Sequence, residues 1–281
     1  MDQRSVLGYS DGCMSLSGTL FTTTVLVFAA STLLAVGLTT TSAMLKITVS
    51  NGRLFAGSLV ANLVVITAVG WGLALISSPT GPTFIALVLA GASPGGPFGA
   101  KLALIQRGDA VAGVALMALL AVIGSLTVPV VVAFILSTAE VSQVGGISIA
   151  VGPLIGLIVA SQVVPFFVGM AVRLGWAKTA SRIRPPVMVL SNVSFLVILA
   201  WILIVGADDL KAMPLTFLLG ATVLTVSAVL VGSVLSPGPM RLRTTAGALA
   251  GVRNAAPMLA VIAAEFTDEP AIPTAVAAIV L

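Results

Sequence analysis

The chain has 281 residues, of which 58% are hydrophobic and 8% charged, with a formal net charge of +4 and a mean hydropathy of +1.19. Soluble domains carry roughly 25% charged residues, so this composition excludes a water-soluble globular fold and points to an all-α polytopic membrane protein. The sequence has no histidine and a single cysteine, Cys13, which excludes an intrachain disulfide and argues against a His/Cys metal centre.

Residues 1–18, with Asp2, Arg4 and Asp11, lack the basic start of a signal peptide and read as a polar N-terminal tail outside the membrane. Residues 19–281 read as a single transmembrane transporter domain. It holds about nine apolar segments of helical rather than barrel-strand length, near 19–41, 54–77, 83–106, 110–137, 148–172, 187–206, 213–236, 245–266 and 271–281. The connections Ser42–Arg53 and Thr138–Ser148 suit short interfacial helices. The last segment stops without a polar flank, as a chain cut within a helix would. Ser191 and Asn192 open the sixth segment and read as caps, and Asp109 reads as the N-cap of the fourth.

Lys46, Arg53, Arg107, Arg173, Lys178, Arg182, Arg184, Arg241 and Arg243 all fall in alternate connections, whereas Glu140, Asp208, Asp209, Asp268 and Glu269 fall in the others, beside Lys211. The positive-inside rule then places the N-terminus outside and the C-terminus in the cytoplasm, in a plasma membrane such as the bacterial inner membrane. Topology accounts for the basic residues, so nucleic acid is not an expected partner. No obligate protein partner is indicated beyond the lipid bilayer. The spans hold no clustered acid pair and no nucleophile–base set, so no enzyme is expected.

Two segments are interrupted at membrane depth. The third contains Ser93-Pro94-Gly95-Gly96-Pro97, followed by Gly99 and Lys101. The eighth contains Gly251-Val252-Arg253-Asn254 and then Pro257. An intramembrane charge is functional by default, and paired Gly/Pro-interrupted segments at an odd offset suggest an inverted repeat with the site at its crossing. Each break makes two helix ends. The N-termini of the later halves attract anions and the C-terminal carbonyls of the earlier halves attract cations. The expected substrate or crossover set is therefore Ser93, Pro94, Gly95, Gly96, Pro97, Gly99, Lys101, Arg253, Asn254 and Pro257, with Asn62 and Gln162 as further polar cavity residues. Simple proline kinks are the plain alternative for the breaks. Snorkelling toward Arg107 is the alternative for Lys101. Asn254 suits either substrate or broken backbone.

Pro94-Gly95-Gly96 followed by Arg107-Gly108-Asp109, Val252-Arg253-Asn254 with Phe266 beyond it, Pro165 with Gly169-Met170 and Arg173, and then Ser191-Asn192 together resemble the bile acid:sodium symporter family in its nine-helix form. The resemblance runs from about Thr19 to the end. It implies a core domain with two broken crossing helices, a panel domain, substrates such as bile acids or small carboxylates, and uptake driven by two sodium ions. It also implies where sodium ligands belong. This chain has Gly99 and Ala100 where Ser and Asn are expected, Gly113 and Met117 where hydroxyls are expected, and Leu249 and Arg253 where Glu and Gln are expected. Asn62 matches the remaining amide. The expectation is a sodium-independent secondary transporter of a small organic anion, without cofactor or metal, in which Lys101 and Arg253 stand in for the ions. The alternatives are an ordinary sodium-coupled symporter and a non-transporting sensor of the same fold.

Overall fold

The computed structural model describes residues 3–77, 81–138, 150–266, 269 and 271–280, with side chains from Gly18 onward. The described residues are helical, without strands. In chain order the helices are α1 (Gln3–Gly37), α2 (Ser42–Ser50), α3 (Gly52–Ser77), α4 (Gly81–Ala92), α5 (Pro97–Ile105), α6 (Ala110–Thr138), α7 (Val151–Gly175), α8 (Ala177–Val205), α9 (Ala207–Lys211), α10 (Leu215–Leu235), α11 (Met240–Gly251), α12 (Ala255–Glu265) and α13 (Ala271–Val280). Among the described residues, 7 spans are long and apolar enough to cross a membrane, or 8 when α4 and α5, bent by 65°, count as one. At 10 residues, α13 is shorter than a spanning helix. The chain is thus a polytopic helical membrane protein.

The polar residues 3–18 continue the first helix. The connection after α1 holds the short helix expected there, capped by the Thr41 hydroxyl, which accepts from the Met44 N–H. The second expected interfacial helix, Thr138–Ser148, lies almost wholly outside the described residues. Ser191 and Asn192 do not start a helix. α8 begins at Ala177 and runs through Pro185 and Pro186, and Ser191 is buried in its interior, with its hydroxyl 2.6 Å from that of Thr32 on α1. Asp109 does cap α6, accepting from the Ala112 N–H at 2.8 Å.

Two packing groups follow from the contacts. α1 lies against α7 and α8, joined by the Thr32–Ser191 bond and by the ring pairs Phe21–Trp201 and Phe28–Phe195. In the second group α3 packs on α4, α10 on α11, α13 on α4, and α11 on α5 and α6. This matches a panel of α1, α7 and α8 beside a core formed by the rest. The α11–α12 window is the most enclosed of the spans, 83% inside the protein against 22% for α7 and for α8. Exposed Val189, Leu196, Ile204, Leu219, Val226 and Leu230 line the outer faces of α8 and α10, as lipid-facing surfaces require.

Candidate functional site: the crossing of two broken helices

Pro94 and Pro97 lack N–H groups, and Gly95 and Gly96 have little helical preference. Helix α4 therefore stops at Ala92, and α5 restarts at Pro97 with Gly96 as its N-cap. In the second break α11 ends at Gly251 and α12 restarts after Asn254. The two breaks meet. The Gly96 N–H donates to the Val252 carbonyl at 2.6 Å. A Cβ on Gly96 would lie 2.6 Å from the Arg253 carbonyl oxygen, and one on Gly95 would lie 2.9 Å from that of Leu249. Only hydrogen fits at these two positions, which is why the turn is built from glycine.

Arg253 is buried at this contact, with 7% of its surface exposed. Its guanidinium donates to four oxygens. Nε donates to the Ala90 carbonyl at 2.7 Å, Nη2 to the Gly91 carbonyl at 2.8 Å, and Nη1 to the Ala250 carbonyl at 2.9 Å and to Asn62 Oδ1 at 3.4 Å. The three carbonyls belong to the C-terminal turns of α4 and α11, where intrahelical donors run out and the helix dipole is negative. No carboxylate takes part. The guanidinium is thus solvated by an all-oxygen shell of the kind that would otherwise hold a bare cation.

Asn62 positions this shell from α3. It lies within a π-helical turn, Val60–Val65, and such turns re-aim side chains at functional places. Its Nδ2 donates to the Ser58 carbonyl at 2.9 Å, while its Oδ1 accepts from both the Gly95 N–H and Arg253. It is therefore part of the clamp rather than a cavity wall. Gln162 occupies the second π turn, Val159–Val163 of α7. It is fully buried and accepts from the Ser125 hydroxyl of α6 at 2.9 Å.

Of the positions where the resemblance expects sodium ligands, Gly99 lies beside Leu249, Gly113 beside Ala100, and Arg253 beside Asn62. Gly99 abuts Leu249, whose side chain is fully buried, and a Cβ on Gly113 would lie 3.5 Å from the Thr245 methyl and 3.9 Å from Ala100. Met117 is buried nearby on α6. The Ala90, Gly91 and Ala250 carbonyls and Asn62 Oδ1 already accept from Arg253.

Lys101 is not brought to the clamp. It is exposed on α5, with its ammonium 5.2 Å from the centroid of the Phe98 ring. Asn254 is fully buried and caps α12, its Oδ1 accepting from the Ala256 N–H at 3.1 Å, which leaves Nδ2 without a partner. The Ser93 hydroxyl is likewise buried without a partner. Pro94 packs on Gly124 of α6, and Pro257 is buried in the first turn of α12. The helix-end carbonyls were expected to attract a cation; that Ala90, Gly91 and Ala250 are the ones Arg253 reaches was not readable, because a backbone acceptor leaves no mark in a sequence. The one available signal was a lone arginine directly after a helix end.

A family model described as the Sodium Bile acid symporter family matches residues 25–213. That span contains Asn62, the Ser93–Pro97 break, Lys101 and Gln162, and it ends before α11. No curated protein matches the chain.

Proposed function

The chain belongs to the sodium bile acid symporter family, a family of transporters rather than enzymes, and we propose that it moves a small organic anion by alternating access and, unlike the family's usual pattern, without sodium. The observation that carries this reading is the Arg253 clamp. A guanidinium fixed between the ends of α4 and α11 does the work of a bound cation: it neutralises two converging helix C-termini and holds the breaks together. A sodium ion about 4 Å from it would meet roughly 4 kcal/mol of repulsion at an effective dielectric near 20. It would also have to displace charge-assisted hydrogen bonds. The proposal rests on Arg253 alone, because Lys101 is exposed on α5 and is not part of the clamp.

Anion binding is supported at the restarting ends of the two breaks. There the N-termini of α5 and α12 present backbone N–H groups, with the free Asn254 Nδ2 and the Ser93 hydroxyl beside them. The substrate class is a bile-acid-like or simpler carboxylate. The charge pattern of the connections supports a plasma-membrane location, such as the bacterial inner membrane, with the N-terminus outside.

The test is uptake of labelled pyruvate and taurocholate into proteoliposomes, in sodium and in choline buffers. Uptake is expected to be equal in both, and to fall at least tenfold in Arg253→Ala. Flux that stops in choline would sink the reading in favour of a sodium-coupled symporter. Ligand-induced stabilisation without flux would favour a sensor.

A further inference from the structure

We infer that this carrier moves its substrate as an uncompensated negative charge, and that in a cell it therefore works as an exporter driven by the membrane potential. The inference rests on the sodium-free reading above and concerns which charges cross with the substrate.

Three observations bear on that. Arg253 is tied through Nε, Nη1 and Nη2 to main-chain oxygens of both broken helices, so its charge stays with the protein. Each of its three nitrogens donates to a protein oxygen without a bound anion, so the crossing holds a fixed cation with or without substrate. Among the described residues no carboxylate is buried at the breaks to carry a proton, and Lys101 on α5 is exposed. Arg253 is the one charged side chain buried among the described residues, and the sequence contains no histidine. The polar side chains around the breaks, Asn62, Ser93, Gln162 and Asn254, do not titrate in the physiological range.

What crosses per turnover is then the substrate's own charge. For a monovalent anion, an inside-negative potential favours the outward direction. One charge is worth about 2.3 kcal/mol per 100 mV, which corresponds to an outside-to-inside ratio of roughly fiftyfold at 100 mV. The sign is the informative quantity. A carrier that brought two cations in with each monovalent anion would carry net positive charge inward, and the same potential would drive uptake.

The experiment uses the intact protein in phosphatidylcholine–phosphatidylglycerol vesicles loaded with labelled pyruvate or taurocholate. The medium is sodium-free, and a potassium gradient with valinomycin sets the polarity. Inside-negative vesicles are expected to empty faster, and inside-positive vesicles to accumulate the same anion. Equal efflux at both polarities would overturn the inference while leaving the sodium-free reading intact, as would faster efflux from inside-positive vesicles. A flux that requires added sodium would remove the reading itself.

Discussion

Arg107 is the only non-glycine residue with positive φ among the described residues, at 61°. It follows α5 in a six-to-one and five-to-two hydrogen-bond pattern, with Gly108 N–H on the Ala103 carbonyl at 2.7 Å and Arg107 N–H on that of Leu104 at 3.0 Å. Glycine usually fills this position, since a Cβ there costs about 1 kcal/mol. Arg107→Gly is expected to stabilise the protein by about that much, raising the unfolding temperature in detergent by roughly 2–4 °C. An unchanged or lower midpoint would mean that the arginine has a compensating contact. Next to it, the buried Thr245 hydroxyl accepts from the Asp109 N–H and donates to the Arg241 carbonyl, each at 2.8 Å. Thr245→Val should cost about 1–3 kcal/mol, because it leaves a partly buried donor unpaired. The two basic residues that looked alike in sequence should also separate. Lys101→Ala is expected to change thermal stability by no more than about 0.5 kcal/mol, whereas Arg253→Ala strands three terminal carbonyls and should lower it by several kcal/mol. Aspartate after glycine was a readable cap. Ser191 and Asn192 were misread, because Pro185 and Pro186 look like a helix boundary. The helix survives them because the acceptors they leave unbonded, on Ser181 and Arg182, sit in exposed residues, where water can replace the lost donors.

At the scale of elements, both breaks were legible because proline and glycine act on the backbone directly. The π turns were not. Val60-Ala-Asn-Leu-Val-Val carries no residue that disfavours an α-helix, and its only trace is one amide in an apolar run, repeated by Gln162 in the second turn. The meeting of the two breaks was expected from their spacing, but which atoms would touch was not. A double variant tests the chemistry of that meeting. Leu249→Glu with Arg253→Gln installs the acid and amide that the family pattern places there, and it removes the resident cation. Transport in this variant is expected to become sodium-dependent. Sodium-insensitive transport in it would show that the clamp and the ion site are unrelated.

Across the whole molecule, the panel and core were foreshadowed only through family resemblance, because sequence periodicity says which segments are apolar but not which neighbour each one meets. The two groups touch through few polar links. The Ser125 hydroxyl to Gln162 is one, and the Thr22 hydroxyl to the Ala263 carbonyl at 3.3 Å is another. Otherwise, apolar side chains such as Phe195, Ile198, Leu199, Leu259 and Val276 line a shallow groove between α8, α12 and α13. Such a seam can slide without breaking many hydrogen bonds, so Gln162→Leu should alter transport rate far more than unfolding temperature, and equal effects on both would count against a moving seam. The Arg253 clamp also bears on how the chain is made. Its acceptors on Asn62, Ala90 and Gly91 come from segments synthesised long before α11 and α12, which form the least apolar span, with a mean hydropathy of 1.4. An arginine near mid-membrane costs about 2.5–3.5 kcal/mol on insertion scales. The nascent arginine thus enters a bilayer in which most of its oxygen shell, all but the Ala250 carbonyl, has already been laid down, and the last third of the chain depends on the first third for its passage into the membrane.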